Sequence, residues 1–511
     1  MNSSKQIKLG ALISYFAIAF NIIAGLIYTP WMITKIGQDN YGLYTLATSI
    51  ITLLVMDFGM GAAVSRFVSK YNAEGKQEAV NNFLGLVYKI YFAIDAVILT
   101  ALVIVYFFIE SVYGNLSASE IETLKTLYVI VGLFSVVSFP FTNLNGIMTS
   151  YERFADLKLC DLFHKVFIIV AMVVSLLVGY GVHALVLVNA ISGLLTIVIK
   201  IVIINRKTPV KINFKYFEKG LVKEVFGFSI WTTVGSIMQR LTFNITPSII
   251  AAVSVTGSFG VAIFGLATTI EGYVYTFATA INGMFMPRIS RIVADDKKEK
   301  ELIPLMIRIG RIQLMVIGII TIGFISFGHS FILEIWNKPD FAESYICAIL
   351  VILPSVFYLP MQIANTTIIV ENKVKLQAYV FVVMGVVNLA FSLILSKYFG
   401  AIGASASIFI AYMVRTILMT IIYQKELKLN MGVFFKETFL KLSPYLLFTL
   451  AVGGLCELFN PISNAFVRFG VNGVVLVLVF FTLMMLKGFN EYEKNLIMSL
   501  LSRLLKIKRY K

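Results

Sequence analysis

Charge is what this sequence has least of. Only 14% of its 511 residues are charged, where a soluble domain carries about 25%. With 59% hydrophobic residues, a soluble globular class is excluded. Cysteine is also scarce. Cys160, Cys347 and Cys456 show no paired or metal-ligand spacing, so they read as buried free thiols. The three histidines, His164, His183 and His329, are scattered and suggest no metal site. No nucleophile or acid/base set stands out, so the chain reads as a non-enzyme. The net charge of +16 does not indicate nucleic acid, because the basic residues lie in short segments between apolar runs.

Those apolar runs dominate. About 14 spans of roughly 20 residues each are expected. They lie near 9–34, 43–65, 83–109, 124–148, 159–180, 183–204, 227–252, 259–284, 303–327, 345–369, 376–396, 400–423, 439–459 and 468–487. The turns near Gly181 and Gly400 divide four of them. The first run is too long for the core of a cleaved signal and reads as a span. With the N-terminus inside, inner segments hold 37 of the 43 Lys and Arg. Outer segments hold only Lys35, Lys125, Lys338, Lys397 and Arg468, and Arg240 is left inside span seven. That asymmetry places both termini in the cytoplasm.

An internal repeat organises the spans. Leu43–Ile50 (LYTLATSI) matches Ile263–Ile270 (IFGLATTI) at an offset of 220. Pro140 and Asn145 match Pro360 and Asn365 at the same offset, and Thr29-Pro30 matches Thr246-Pro247 at 217. Six spans separate the copies, so they run parallel. The expected fold is an all-α integral membrane protein of two six-helix lobes plus two helices. The lobes are 1–206 and 227–424, joined by a basic cytoplasmic linker at 207–226; 425–511 holds spans thirteen and fourteen and a basic tail. Phe214, Phe217 and Leu221 alternate with Lys215, Lys219 and Lys223, which suggests an amphipathic helix at the inner interface. The tail from Lys487 alternates apolar and basic residues and is expected on the anionic inner leaflet.

The chain resembles a family at three places: Gly37–Leu43 (GQDNYGL), Asp57–Gly61 (DFGMG) followed by Arg66–Lys70 (RFVSK), and Phe139–Phe141 through Glu152–Phe154. It is similar to polysaccharide flippases of the multidrug/oligosaccharidyl-lipid/polysaccharide exporter superfamily. The resemblance implies two bundles around a central cavity and alternating access. It also implies a cargo of undecaprenyl-pyrophosphate-linked oligosaccharide, moved from the inner to the outer leaflet of the inner (plasma) membrane. Glycan polymerase machinery is the implied partner besides the bilayer. A drug or organic-cation antiporter is the alternative. A membrane glycan polymerase is a third reading, opposed by outer loops of about 17 residues at most.

Candidate site residues follow from charge inside apolar runs. Arg240 and Glu271 fall at similar depth in consecutive spans. They either form an ion pair that holds the helices or exchange partners as Arg240 meets the pyrophosphate. Arg66, at the inner rim, is a first contact for an anionic headgroup. Asn244, Asn145 and Asn365 offer amides to sugar hydroxyls or hydrogen-bond between helices. Asp57 and Asp95, joined by Glu271, either form a Na+ or H+ coupling site or are solvated or structurally hydrogen-bonded. No other cofactor is expected.

Overall fold

The computed structural model describes residues 3–54, 60–279, 285–294, 298–336, 338–495 and 497–499. Among them there is no strand. Eleven helices are long and apolar enough to cross a membrane, as backbone self-satisfaction in hydrocarbon requires. Large apolar side chains face outward, with Val97 69% and Phe107 75% exposed. A soluble fold would bury them; a lipid-facing one need not.

The described chain divides into two compact units: Met1–Phe277 with Lys373–Arg415, and Ala278–Asn372 with Thr416–Lys511. These are not the boundaries of the repeat. In the first unit the chain runs α1 (Ser3–Ile36), α2 (Gln38–Leu54), α3 (Met60–Ala73), α4 (Gln77–Val112) and α5 (Ala118–Ser138). It continues through α6 (Leu144–Ser150), α7 (Phe154–Leu177), α8 (Val182–Lys207), α9 (Lys219–Asn244), α10 (Thr246–Val253) and α11 (Gly257–Thr279). A capping box starts α5: the Ser117 hydroxyl accepts from Glu120 N–H at 3.4 Å, and Ser117 N–H donates to Glu120 Oε2 at 2.8 Å. The second unit holds α12 (Met286–Ala294), α13 (Ile303–Ser330), α14 (Ala342–Tyr358) and α15 (Gln362–Val370). The kinked α16 (Val374–Lys425) crosses the division at Arg415, and α17 (Met431–Phe435), α18 (Lys441–Phe459) and α19 (Ala465–Leu483) complete the second unit.

The repeat is written into the backbone. Helix α5 ends at Ser138 and α14 at Tyr358; a short 3-10 turn follows each, Phe139–Phe141 and Leu359–Met361, holding Pro140 and Pro360. Glu152 and Asn372 both take φ +56°, just before α7 and α16 begin. Gly37 and Gly257 take φ +86° and +51° before the body of α2 and α11. Left-handed backbone is uncommon, so its recurrence at an offset of 220 is not local propensity. Gly400, φ +54°, breaks α16 where the sequence suggests two spans.

Helices α2 and α11, which carry the repeated octapeptide, approach backbone to backbone. A Cβ on Gly42 would lie 1.9 Å from the Ser258 carbonyl oxygen, and one on Gly265 would lie 2.9 Å from Thr45. Only glycine permits either approach.

Two expectations change. Span seven is two helices, broken at Ile245 ahead of Pro247, because proline cannot continue the hydrogen-bond ladder. The amphipathic helix expected from Phe214 is absent: residues 209–218 are non-helical and α9 begins at Lys219. The segment spends its backbone groups on α4 instead, with Asn213 N–H on the Asn81 carbonyl at 3.1 Å. Of the C-terminal tail, residues 500–511 lie outside the described residues, and its first part packs against the second unit. Phe489 packs with Leu314, Leu442 and Phe480, and Arg308 stacks on Tyr492 at 3.9 Å. Among the thiols, Cys160 and Cys347 are buried, while Cys456 is only half-buried.

Candidate functional site

A groove runs between α2, α5, α7 and α8 in the first unit, with polar groups set in largely apolar walls. It comprises two cavities of about 280 Å³ each that share Phe134, Ser138 and Asn189. At its basic end, Lys200 Nζ donates to Asn145 Oδ1 at 2.9 Å and to Asp161 Oδ1 at 3.2 Å. Lys158 reaches the other Asp161 oxygen at 3.4 Å. Farther along, His164 Nδ1 lies 2.9 Å from Ser192 Oγ and 3.2 Å from Thr196 Oγ1. At the far end Asn189 approaches the Tyr44 hydroxyl at 3.5 Å. The spacing explains the convergence. Asn189, Ser192, Thr196 and Lys200 recur at three- and four-residue steps and so share one face of α8. Ammonium, carboxylate, imidazole, amides and hydroxyls lie beside Phe134 and Phe141, and that mixture can replace water around a hydroxylated cargo.

A second cluster gathers on α9, α11 and α16, also in the first unit. The buried Arg415 guanidinium stacks over Phe381 at 4.9 Å and Tyr412 at 5.5 Å. Tyr412 also hydrogen-bonds Gln239 and meets Phe243 edge-on at 5.7 Å. Tyr275 and Tyr412 lie within electrostatic range of both Glu271 and Arg415.

The sequence candidates separate. Asn145 joins the groove. Arg240 is exposed on α9, one turn before Asn244, whose amide donates to the Arg240 carbonyl at 2.9 Å. Among the described residues Arg240 and Glu271 form no ion pair; the arginine that shares tyrosines with Glu271 is Arg415. Arg66 is exposed on α3. Asn365 is half-buried on α15 in the second unit. Asp95 is buried, and its Oδ1 has no hydrogen bond among the described residues. Asp57 lies outside the described residues. Lys200 and Arg415 escape sequence reasoning because a count of basic residues near span ends treats both as interface charges. The three- and four-residue recurrence on α8 is the signal that would have found Lys200.

Many apolar helices long enough to span, with a groove of mixed polarity among them, make this a multi-pass membrane protein. Residues 8–293, more than half of the chain, match the model of the polysaccharide biosynthesis protein family, and the chain belongs to that family. It is 23% identical over 395 residues to an uncharacterized membrane protein of Methanocaldococcus jannaschii, covering 75% of this chain and 89% of that one. Its fold is similar to the lipid II flippase MurJ in an inward closed conformation: TM-score 0.70, 16% identity, 93% of this chain and 98% of that one. It is also similar to an inward-facing multidrug resistance MATE family transporter of the MOP superfamily: TM-score 0.67, 14% identity, 82% and 98%.

Proposed function

We propose that this protein is a flippase that carries undecaprenyl-pyrophosphate-linked oligosaccharide from the inner to the outer leaflet of the plasma membrane. The observation that carries the reading is the groove: a polysaccharide-biosynthesis family member lines its membrane interior with groups suited to sugar hydroxyls, Asn145, Lys200 and Asp161 foremost. Glycan and pyrophosphate cannot cross hydrocarbon without such a lining. In this reading two six-helix lobes alternate access around a central cavity, with two further helices and both termini in the cytoplasm. Fourteen passes result if α2 with α3, and α9 with α10, each span once and α16 spans twice about Gly400. Exposed Arg240 and Arg66 receive the pyrophosphate; Asn244 and Asn365 contact the glycan; Glu271 modulates the α9–α11 region beside Arg415. Asp95, with Asp57, is the proposed coupling site for H+ or Na+, supported by the burial of Asp95. Glycan polymerase machinery is the proposed downstream partner.

Liposomes loaded with a lipid-linked oligosaccharide test the reading. Inner-leaflet headgroups should become accessible to an external lectin only when the protein is present. Unchanged accessibility, together with exchange of organic cations for protons, would establish the antiporter that the likeness to a multidrug transporter favours.

A further inference from the structure

A separate cavity of about 500 Å³ lies at the end of the first unit that carries the basic linker. Its walls are the α3–α4 turn and the non-helical segment 209–218. That segment is sewn down along α4. Asn213 Nδ2 donates to Asn82 Oδ1 at 2.7 Å, Lys211 N–H to Asn81 Oδ1 at 2.9 Å, and Lys89 Nζ to the Tyr216 carbonyl at 3.1 Å. Gly85 lets it lie that close, since a Cβ there would sit 1.8 Å from the Asn213 carbonyl oxygen. The wall is therefore built into the fold rather than draped over it.

The lining has two kinds of group. Tyr71 and Tyr216 offer aromatic faces, and Tyr71 is backed edge-on at 6.1 Å by the buried Phe83, itself stacked on Phe67 at 5.1 Å. Glu78, Glu218 and Asn82 are hydrogen-bonding. A pyranose offers the matching surfaces: an apolar C–H face for a ring, and hydroxyls that donate to carboxylates. Charge decides which sugars fit. Among the lining residues, Lys76 is already held by Glu74 at 2.8 Å, which leaves Glu78 and Glu218, the latter accepting from the Tyr216 hydroxyl, as the excess charge of the lining. Phosphate and uronate groups are repelled there.

We propose that this cavity is a saccharide-binding site selective for neutral or amino sugars. It recognises the glycan end of the cargo, while pyrophosphate is held elsewhere. The role in transport rests on the flippase reading; the binding itself does not.

Free sugars separate the two. Saturation-transfer NMR on the full chain in nanodiscs, with N-acetylglucosamine, glucosamine and glucuronate as probes, should show the first two binding at least about threefold more tightly than the third. Ala79→Trp, which fills the cavity, should weaken them by about tenfold. Glu78→Gln should narrow the discrimination against glucuronate, and it decides the matter if the tryptophan variant does not fold. Absence of binding by all three sugars overturns the proposal. So does unchanged affinity in Ala79→Trp, or unchanged discrimination in Glu78→Gln. If lipid-linked glycan still crosses vesicles in either case, the flippase reading survives alone. If sugars bind as described but no glycan crosses, the site stands and the flippase reading falls.

Discussion

Arg311 and Glu493 form a buried ion pair in the second unit, 182 residues apart in sequence. Nε donates to Oε1 at 2.6 Å and Nη2 to Oε2 at 2.9 Å. The remaining guanidinium donors reach the Glu437 carbonyl at 2.9 Å and the Gly488 carbonyl at 2.6 Å. Asn490 N–H donates to Glu493 Oε2, and Glu493 N–H returns to Asn490 Oδ1, both at 2.9 Å. One guanidinium thus ties α13, the start of span thirteen and the segment after span fourteen. Breaking a buried pair from one side strands the other charge, at a cost of about 3–5 kcal/mol. Glu493→Gln should lower the thermal midpoint in detergent by several degrees. The double variant Arg311→Met with Glu493→Leu should recover most of that loss.

The close approach of α2 and α11 is a second test. Gly42→Ala places a methyl inside the Ser258 carbonyl, so the helices must part; overpacking of this kind costs about 1–3 kcal/mol or more. The yield of monodisperse protein should fall sharply. Gly473→Ala, where a Cβ would meet nothing within 4 Å, is the matched control and should be silent.

The groove makes a functional prediction. Lys200→Met removes the ammonium that bridges Asn145 and Asp161. Lys158, more exposed, still screens the carboxylate, so stability should change by less than about 1 kcal/mol. Flipping measured with the external lectin should drop by about tenfold, equivalent to 1.4 kcal/mol in the transport step. Lys200→Arg should keep most of the activity. Wild-type flipping in Lys200→Met would remove the groove from the transport path.

At the α3–α4 turn, the hydrogen bond with Lys76 holds the Glu74 carboxyl below its usual value, and the same bond raises the Lys76 amine. A lowered carboxyl pKa means the pair is present above about pH 4.5 and lost as the solution falls through the folded value. A raised amine pKa means it is lost again as pH climbs past the folded value, above 10.5. Both groups are fully exposed, so global stability should not follow. Amine-reactive labelling of Lys76 between pH 7 and 9 should rise in Glu74→Gln relative to wild type, with an unchanged melting curve.

Much of this was legible because membrane physics is strict. Long apolar runs must be helices, so the spans and the Gly400 division can be read directly. Pro140 and Pro360 mark equivalent turns, each inside a 3-10 segment where the missing N–H leaves the ladder open. What resisted were contacts that join distant segments. Phe214 and Phe217 have amphipathic spacing, but spacing is silent about Asn81 and Asn82, which draw that segment out of a helix. Arg311 and Arg415 look like interface charges in a residue count, and only packing reveals them as buried. Arg240 and Glu271 were matched by depth alone. Depth fixes one coordinate, and the azimuth around each helix decides which side chains meet.

Thr45 and Gly265 are equivalent positions in the repeat, 220 residues apart, and they touch. Both copies of the octapeptide lie in the first unit. A larger side chain at either position therefore presses on its own duplicate, so the two copies limit each other's size through one contact.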